Sequence, residues 1–554
     1  MAGRVQLATT GTQDAYFTEN PEYTHFIKQF KRHTNFSTYD LTHDLHGQLE
    51  YGGIVKCTIP ANSGDLLKAI RVHFTLPPLE TDGVNFRYVE SIGHAIFQHV
   101  DLTIGGQLVQ RIPRDWLQIY SEHYITQTKQ NNLAKLIGKC PDESSGLPVR
   151  HASIDQYLPL AATSTSYIVD IPFYFHNNPE LAIPLCALTK QECEIEIQLS
   201  DIGKCIHNLP NILQQSSPDN TNFIVTVQST SNGNKYFIDG VEAPQLELQY
   251  GRTYTFEFVS MAYYDHPFKF STGSDGIHNN YIEYVDNQTS SDILNTYTIT
   301  LTVNSDTPHH LYYYCGRHPG MGNMVHINPA PIDTTGLGIE SMTLHTEMVQ
   351  LNEPERRAIK KSNRDYIITQ IQQNTFEIPV STSAGTDDYR FNMNFMNPVK
   401  ELYFVIQNVP LPVESFVSTF DYDFVYEIYP LGTEGKYINF EHLVSLEMIL
   451  DNETILNEVT GNVVHLRAVQ SGIHHSRTQL FRRFYSYSFG LEPEKWYPTG
   501  QRNFSAIKEQ IIQLKLNSET VLKRELRVYA LANNILRING GSGKVIFPNG
   551  GISN

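Results

Sequence analysis

Residues 67–76 have the sequence LKAIRVHFTL, in which apolar side chains largely alternate with polar ones. Such alternation is typical of a β-strand with one face in a core and the other in solvent. Four further segments alternate in the same way or are apolar, β-branched and aromatic runs: 192–199 (ECEIEIQL), 401–407 (ELYFVIQ), 510–516 (QIIQLKL) and 525–531 (ELRVYAL). Gly, Pro, Asn and Asp bound most of them, so the sequence predicts a mostly β protein of sandwiches or barrels.

Helical patterns are scarce. The best candidates are 21–31 (PEYTHFIKQFK), 116–130 and 353–372, and each is short or poorly amphipathic. We expect these three segments to be the main helices of an otherwise β chain.

Three blocks follow from the positions of polar and Pro-containing stretches. Residues 1–205 form a β-rich block, 222–328 a second block and 353–554 a third. The middle block lies between 214–222 (QQSSPDNTN) and 328–338 (NPAPIDTTGLG), which predict linkers.

The composition excludes several classes of protein. The 554 residues include 41 Lys and Arg against 58 Asp and Glu, a net charge of −17, which disfavours a protein that coats nucleic acid. Six irregularly spaced cysteines are too few for a disulfide framework. We also expect no membrane span and no secretory leader, since no apolar stretch approaches the required length.

The middle block contains a set of metal-binding residue types. His266 stands in an Asp-His-Pro-Phe segment, and residues 312–324 (YYYCGRHPGMGNM) contain Cys315, His318 and Met321. Two imidazoles and a thiolate, with a weak thioether, are the ligands of a blue-copper site. Multicopper oxidases are excluded, because the chain has no His-x-His pair for a trinuclear cluster.

With strands predicted around this motif, the block resembles the cupredoxin family. The resemblance implies a β-sandwich that holds copper in a type 1 site, with His266, Cys315 and His318 as equatorial ligands and Met321 as the axial one. Asn323 would take the axial role in the longer spacing found in many members, and Met324 is a further candidate. A fold that binds no metal, or zinc at Cys and His, is the alternative.

The two large blocks together closely resemble the major capsid proteins of nucleocytoplasmic large DNA viruses. The resemblance lies in segments that keep the order of the family: 18–37 (TENPEYTHFIKQFKRHTNFS), 171–185 (IPFYFHNNPELAIPL), 351–358 (LNEPERRA), 398–407 (PVKELYFVIQ), 488–505 and 530–538 (ALANNILRI).

This resemblance implies two consecutive eight-stranded jelly-roll sandwiches. Residues 1–205 and 339–352 would form the first, and 353–554 the second. Segments 192–199 and 342–350 resemble the last two strands of the first jelly roll, so the cupredoxin-like block 222–328 would be inserted in the loop between them. That end of the jelly roll tends to face outward in the family, which implies display on the virion exterior.

The implied function is structural rather than enzymatic. The chain would be made in the host cytoplasm and form homotrimers of pseudo-hexagonal outline in the virion capsid. Its partners would be neighbouring capsomers and minor capsid and penton proteins, without direct contact to nucleic acid. The alternative is a copper-binding, redox or host-recognition protein in which the sandwiches serve as scaffold.

Overall fold

A computed structural model gives the structure of most of the chain. It describes residues 2–9, 11–28, 30–79, 87–89, 91–139, 164–207, 221–231, 233–249, 252–258, 262–286, 288–293, 296–303, 307–308, 310–328, 338–382, 385–409, 442–477, 484–518 and 523–547. The two segments predicted as linkers lie almost entirely outside these residues. The described part is mostly β, which confirms the predicted fold class.

The first sandwich consists of two facing antiparallel sheets. One has the strand order Phe36–Asp44, Ser341–Leu351, Leu66–Leu76 and Thr165–Asp170. The other has the order His46–Gly47, Ile54–Ile59, Cys193–Leu199, Phe97–Ile104 and Gln107–Pro113. A separate short pair joins Arg87–Tyr88 to Ile206–His207. In most of these strands alternate side chains are buried, as the period-2 pattern predicts.

The second sandwich also has two antiparallel sheets. The larger has the order Arg364–Ile378, Lys523–Asn539, Pro398–Val409 and Phe484–Ser488, with Arg502–Asn503 and Ser542–Val545 at its margins. The smaller has the order Thr386–Asn392, Gln510–Asn517, Leu443–Leu450 and Glu453–Leu456.

Residues 222–328 fold as a third sandwich, called here the insertion. Its six-stranded sheet has the order Val241–Glu242, Gly233–Ile238, Asn222–Thr230, Thr253–Phe258, Thr296–Thr302 and Gln288–Ile293. Its five-stranded sheet has the order Leu246–Gln249, Met324–Asn328, His310–Cys315, Phe268–Ser271 and Glu283–Tyr284. One pair in each sheet is parallel. Among the described strands, those of the insertion pair only with one another, and they enclose a hydrophobic core of their own.

The described helices differ from the sequence prediction at all three predicted segments. The helices are Ala2–Ala8, Thr12–Thr18, Ile92–Ala95, Arg114–His123, Gln127–Ile137, Ala262–Asp265, Glu353–Lys361 and Gln470–His474, with a π-helical turn at His465–Val469 and short 3₁₀ turns at Pro179–Leu181, Leu185–Ala187, Ile202–Lys204, Gly276–Asn279 and Phe504–Ala506. None of the described helices has the length and apolarity needed to cross a membrane.

The helix predicted over 21–31 is wrong, because its described residues are turns and irregular chain. These residues are exposed, so no packed face stabilises a helix there. The helix predicted over 353–372 is correct only up to Lys361, and strand Arg364–Ile378 follows. Tyr366, Ile368 and Ile371 belong to the core of a sheet, and this tertiary packing decides against a longer helix. The helix predicted over 116–130 is interrupted between His123 and Gln127.

The first and second sandwiches share a buried interface. The helix Arg114–His123 of the first lies against the larger sheet of the second, where Trp116 meets Tyr403 with ring centroids 5.6 Å apart. The Tyr529 hydroxyl donates to an Asp115 carboxylate oxygen at 2.5 Å. This sheet is therefore covered on both faces, which explains the unbroken buried run of residues 402–406.

Buried charges also cross this interface. The Glu122 carboxylate lies 2.8 Å from Lys139 Nζ and 2.6 Å from Arg477 Nη1, and all three side chains are at most 5% exposed. Glu122 and Lys139 belong to the first sandwich and Arg477 to the second. This carboxylate thus neutralises cations from both sandwiches.

We predict that Glu122→Gln destabilises the protein by about 3–5 kcal/mol, because it leaves Lys139 and Arg477 buried without this anion. Urea unfolding of the full chain measures the change. Glu453→Gln is the control. Glu453 pairs with Arg502 at a solvent-exposed site, so its substitution should lower the free energy of unfolding only slightly. Equal unfolding midpoints for the two variants would contradict the role assigned to Glu122.

Candidate metal centre

Three potential metal ligands from distant parts of the insertion converge at one end of its five-stranded sheet. His266 precedes strand Phe268–Ser271, Cys315 is the last residue of strand His310–Cys315, and His318 follows in the next loop. One ligand atom from each lies within 4.8 Å of the others. Cys315 Sγ is 3.9 Å from His266 Nδ1 and 3.6 Å from His318 Nδ1.

Strand pairing brings these residues together. Phe268 lies opposite Cys315 in the antiparallel pair, so His266, two residues earlier, reaches the end of the strand that carries Cys315. The Gly316 amide donates to Pro267 O at 2.8 Å and extends this pairing into the loop. Cys315 is fully buried, His266 is half-buried and His318 is exposed. The site therefore has a protected thiol and an imidazole at the surface.

The three candidates for the axial position differ in their surroundings. Met321 is 1% exposed and belongs to the same hydrophobic core as Cys315. Asn323 is exposed, and its side-chain amide donates to Ala243 O at 2.8 Å. Met324 is the first residue of a strand and is partly exposed. Burial in the core that also contains Cys315 favours Met321 among the three.

Hydrogen bonds from outside the motif hold the ligand loop. His278 Nε2 donates to Cys315 O at 2.9 Å, and Asp275 accepts a hydrogen bond from the Gly320 amide at 2.7 Å. The Tyr236 hydroxyl donates to His266 O at 2.9 Å. The sequence analysis missed these residues, because they lie about 30–45 positions from their partners and their spacing carries no motif. Their contacts hold the backbone that carries the potential ligands.

The donor set fits copper. A soft thiolate, two imidazoles and a nearby thioether suit Cu(I) and Cu(II), whereas a structural zinc site takes four strong ligands. In the described part of the chain, one group of at least three His, Cys, Asp or Glu side chains converges closely enough to hold an ion. It consists of His266, Cys315 and His318. Burial lowers the pKa of His266. The positive charges of His318 and Arg317 lower it further, whereas the Asp265 carboxylate raises it. This shift favours the neutral, metal-binding imidazole. The five described cysteines are all free thiols.

Comparison with known proteins points to the two large sandwiches rather than to this site. The family model of the major capsid protein N-terminus matches residues 24–241, and that of the large eukaryotic DNA virus major capsid protein matches residues 355–544. Together the matches cover well over half of the chain.

Relatives match over nearly the whole length. The probable capsid protein 4 of Acanthamoeba polyphaga mimivirus is 24% identical over 568 residues, covering 98% of this chain and 99% of the relative. The major capsid protein of Phaeocystis pouchetii virus is 24% identical over 582 residues, covering 99% of each.

Two solved structures have a similar fold. VP54 of PBCV-1 aligns with a TM-score of 0.58 and 17% identity over 95% of this chain and 100% of the other. The Faustovirus major capsid protein aligns with a TM-score of 0.54 and 12% identity over 97% of this chain and 96% of the other.

The ligand loop also passes close to its own strand at Gly322. A Cβ at Gly322 would lie 1.8 Å from Tyr313 O, whereas one at Gly316 would lie 3.2 Å from the flexible Lys269 side chain. We predict that Gly322→Ala destabilises the insertion by about 1–3 kcal/mol or more and that Gly316→Ala has little effect. Calorimetry of the full chain would then show a lower transition for the insertion alone. A Gly322→Ala protein with wild-type transitions would contradict the close approach.

Proposed function

Because the chain belongs to the family of major capsid proteins of large eukaryotic DNA viruses, we propose that it forms homotrimers of pseudo-hexagonal outline that tile an icosahedral shell. It is a structural protein of the virion capsid, not an enzyme. The observation that carries the proposal is that the two family matches lie in chain order, the first on most of the first sandwich and the start of the insertion, and the second on the second sandwich. Three copies of a two-sandwich subunit supply six similar bodies around a threefold axis, which gives a near-hexagonal tile.

Each sandwich is proposed to be a jelly roll of eight principal strands, to which short strands are added at the margins. The buried interface between the two supports a rigid building block, since a shell lattice requires a fixed angle between the parts of each subunit. Synthesis in the host cytoplasm accords with the free cysteines.

The N-terminal segment supports contacts with other capsid proteins. Phe17, Phe26 and Phe30 are 84%, 95% and 84% exposed in the isolated chain. Several exposed aromatic side chains in one segment mark an interaction surface. We place neighbouring capsomers and minor capsid or penton proteins there, and no nucleic acid, because the chain carries a net charge of −17.

The insertion is proposed to be a cupredoxin-like module on the outer face of each capsomer. Its support is the separate core and the single point of insertion between strands Cys193–Leu199 and Ser341–Leu351. Surface loops accept folded insertions at small thermodynamic cost. Such a module is also available for contact with a host surface.

A second proposed function is copper binding by the insertion. His266, Cys315 and His318 would hold the ion, with Met321 as a weak axial ligand. The converging donor atoms favour this proposal. Copper in such a set supplies one-electron redox chemistry.

Assembly is tested by sedimentation of the purified protein. We predict a trimer for the full chain and also for a variant in which residues 222–328 are replaced by a short Gly/Ser linker, since the described strands of the insertion pair with neither large sandwich. A monomeric full chain would contradict the trimer. A full chain that trimerises and a deletion variant that does not would contradict display of the insertion away from the subunit contacts.

Copper binding is tested by titrating the full chain with Cu(II). We predict an intense blue thiolate charge-transfer band that is lost in Cys315→Ala and kept in Cys57→Ala, a buried thiol of the first sandwich. Met321→Leu should shift the band and Met324→Leu should not. Absence of the band in wild-type protein would contradict the type 1 site, and a shift only in Met324→Leu would contradict the axial assignment.

A further inference from the structure

A cavity of about 220 Å³ lies between the first and second sandwiches. The first sandwich contributes helix Arg114–His123 and residues 172–178, and the second contributes strands Arg364–Ile378 and Pro398–Val409 and residues 494–496. Pockets that bind drug-sized ligands measure about 300–1,000 Å³, so this cavity suits a smaller molecule.

Aromatic side chains form much of the wall. The 554-residue chain has two tryptophans, Trp116 and Trp496, and both line this cavity from opposite sandwiches. Tyr120 and Tyr124 also line it, stacked with ring centroids 4.9 Å apart and planes at 15°. Flat aromatic faces favour a planar ring as the occupant.

A buried cation reaches the same cavity. Lys400 is 7% exposed and lines the wall, and among the described residues its ammonium group has no hydrogen bond or ion pair. It lies at a register shift between Val399 and Glu401, where the pairing with Lys523–Asn539 is irregular. Such bulges redirect side chains and are frequent next to functional sites.

Within the described structure, neither neighbouring carboxylate forms an ion pair with this lysine, although both favour its charged form. Glu401 accepts from His475 Nε2 at 2.7 Å, and Glu494 accepts from the Ser476 amide at 2.7 Å. Burial lowers the pKa of Lys400 to about 8, although these two carboxylates oppose the shift. Burying an ammonium group without an ion pair is costly, and an anionic ligand in contact with it would lower the cost further.

Two more polar atoms at the cavity lack partners within the described structure. The Tyr174 hydroxyl and His176 Nδ1 are buried without a hydrogen bond, and both residues line the wall. Buried polar atoms are nearly always paired in native proteins, so these two indicate further contacts for ligand oxygens.

We infer that this cavity binds a small aromatic carboxylate, whose ring lies against Trp116 and Trp496 and whose anionic group pairs with Lys400. The site is independent of the copper proposal and of the trimer. Bound at the junction of the two sandwiches, the ligand contacts both and stabilises their relative placement.

Intrinsic tryptophan fluorescence of the full chain is the test, because both tryptophans report on this cavity alone. Phenylacetate is the probe. Acetate lacks the ring, and phenethylamine has the ring with a positive charge. We expect a saturable fluorescence change with phenylacetate and binding at least about tenfold weaker with the other two.

Variants distinguish binding through Lys400 from a general effect of removing a lysine. Lys400→Met should weaken phenylacetate binding at least about tenfold, whereas Lys400→Arg keeps the charge and should retain binding. Lys495→Met is the matched control, since Lys495 lines the same cavity but is exposed, and it should leave binding unchanged. No saturable change in wild-type protein, or equal binding in wild type, Lys400→Met and Lys495→Met, would overturn the inference. If Lys400→Met does not fold, loss of binding in folded Lys400→Arg overturns it as well.

Discussion

The pairing of strand Ser341–Leu351 in the middle of the first sandwich constrains the rest of the molecule. It lies between Phe36–Asp44 and Leu66–Leu76, so the sheet is incomplete until the chain has returned from the insertion. The buried Asp65 secures its end, accepting from the Leu351 amide at 2.9 Å and from Arg356 Nε at 2.5 Å. Arg356 lies in the helix that leads into the second sandwich. One strand therefore closes the first sandwich, fixes the exit of the insertion and starts the second sandwich.

The second constraint is the junction between the two large sandwiches. Two histidines are buried there, one charged and one neutral. Burial lowers the pKa of His475, but Glu401 and Glu494 outweigh it and raise the pKa to about 9. Burial and the neighbouring His475 lower the pKa of His123 to about 3. At neutral pH a charged and an uncharged histidine thus meet across the junction, with ring centroids 5.0 Å apart. Such a fixed pattern of charge specifies one docking geometry, which a shell subunit needs.

The sequence patterns predicted the strands whose position depends on the alternation or run of apolar side chains. Strand Leu66–Leu76 was predicted from alternation to within one residue, and strand Pro398–Val409 from an apolar run that is buried on both faces. The helix over 21–31 was wrong, because propensity alone does not hold a short exposed helix. His266, Cys315 and His318 could be chosen by residue type and spacing. Tyr236, His278 and Lys400 could not, since strand pairing and a bulge, rather than sequence distance, bring them to their sites.

The most direct test is a cryo-electron microscopy map of the shell formed by this protein. The account predicts threefold capsomers of pseudo-hexagonal outline, with two sandwiches per subunit in the wall and three separate densities for residues 222–328 projecting outward. Capsomers of another symmetry, or density for residues 222–328 on the genome-facing side or within the subunit contacts, would contradict it.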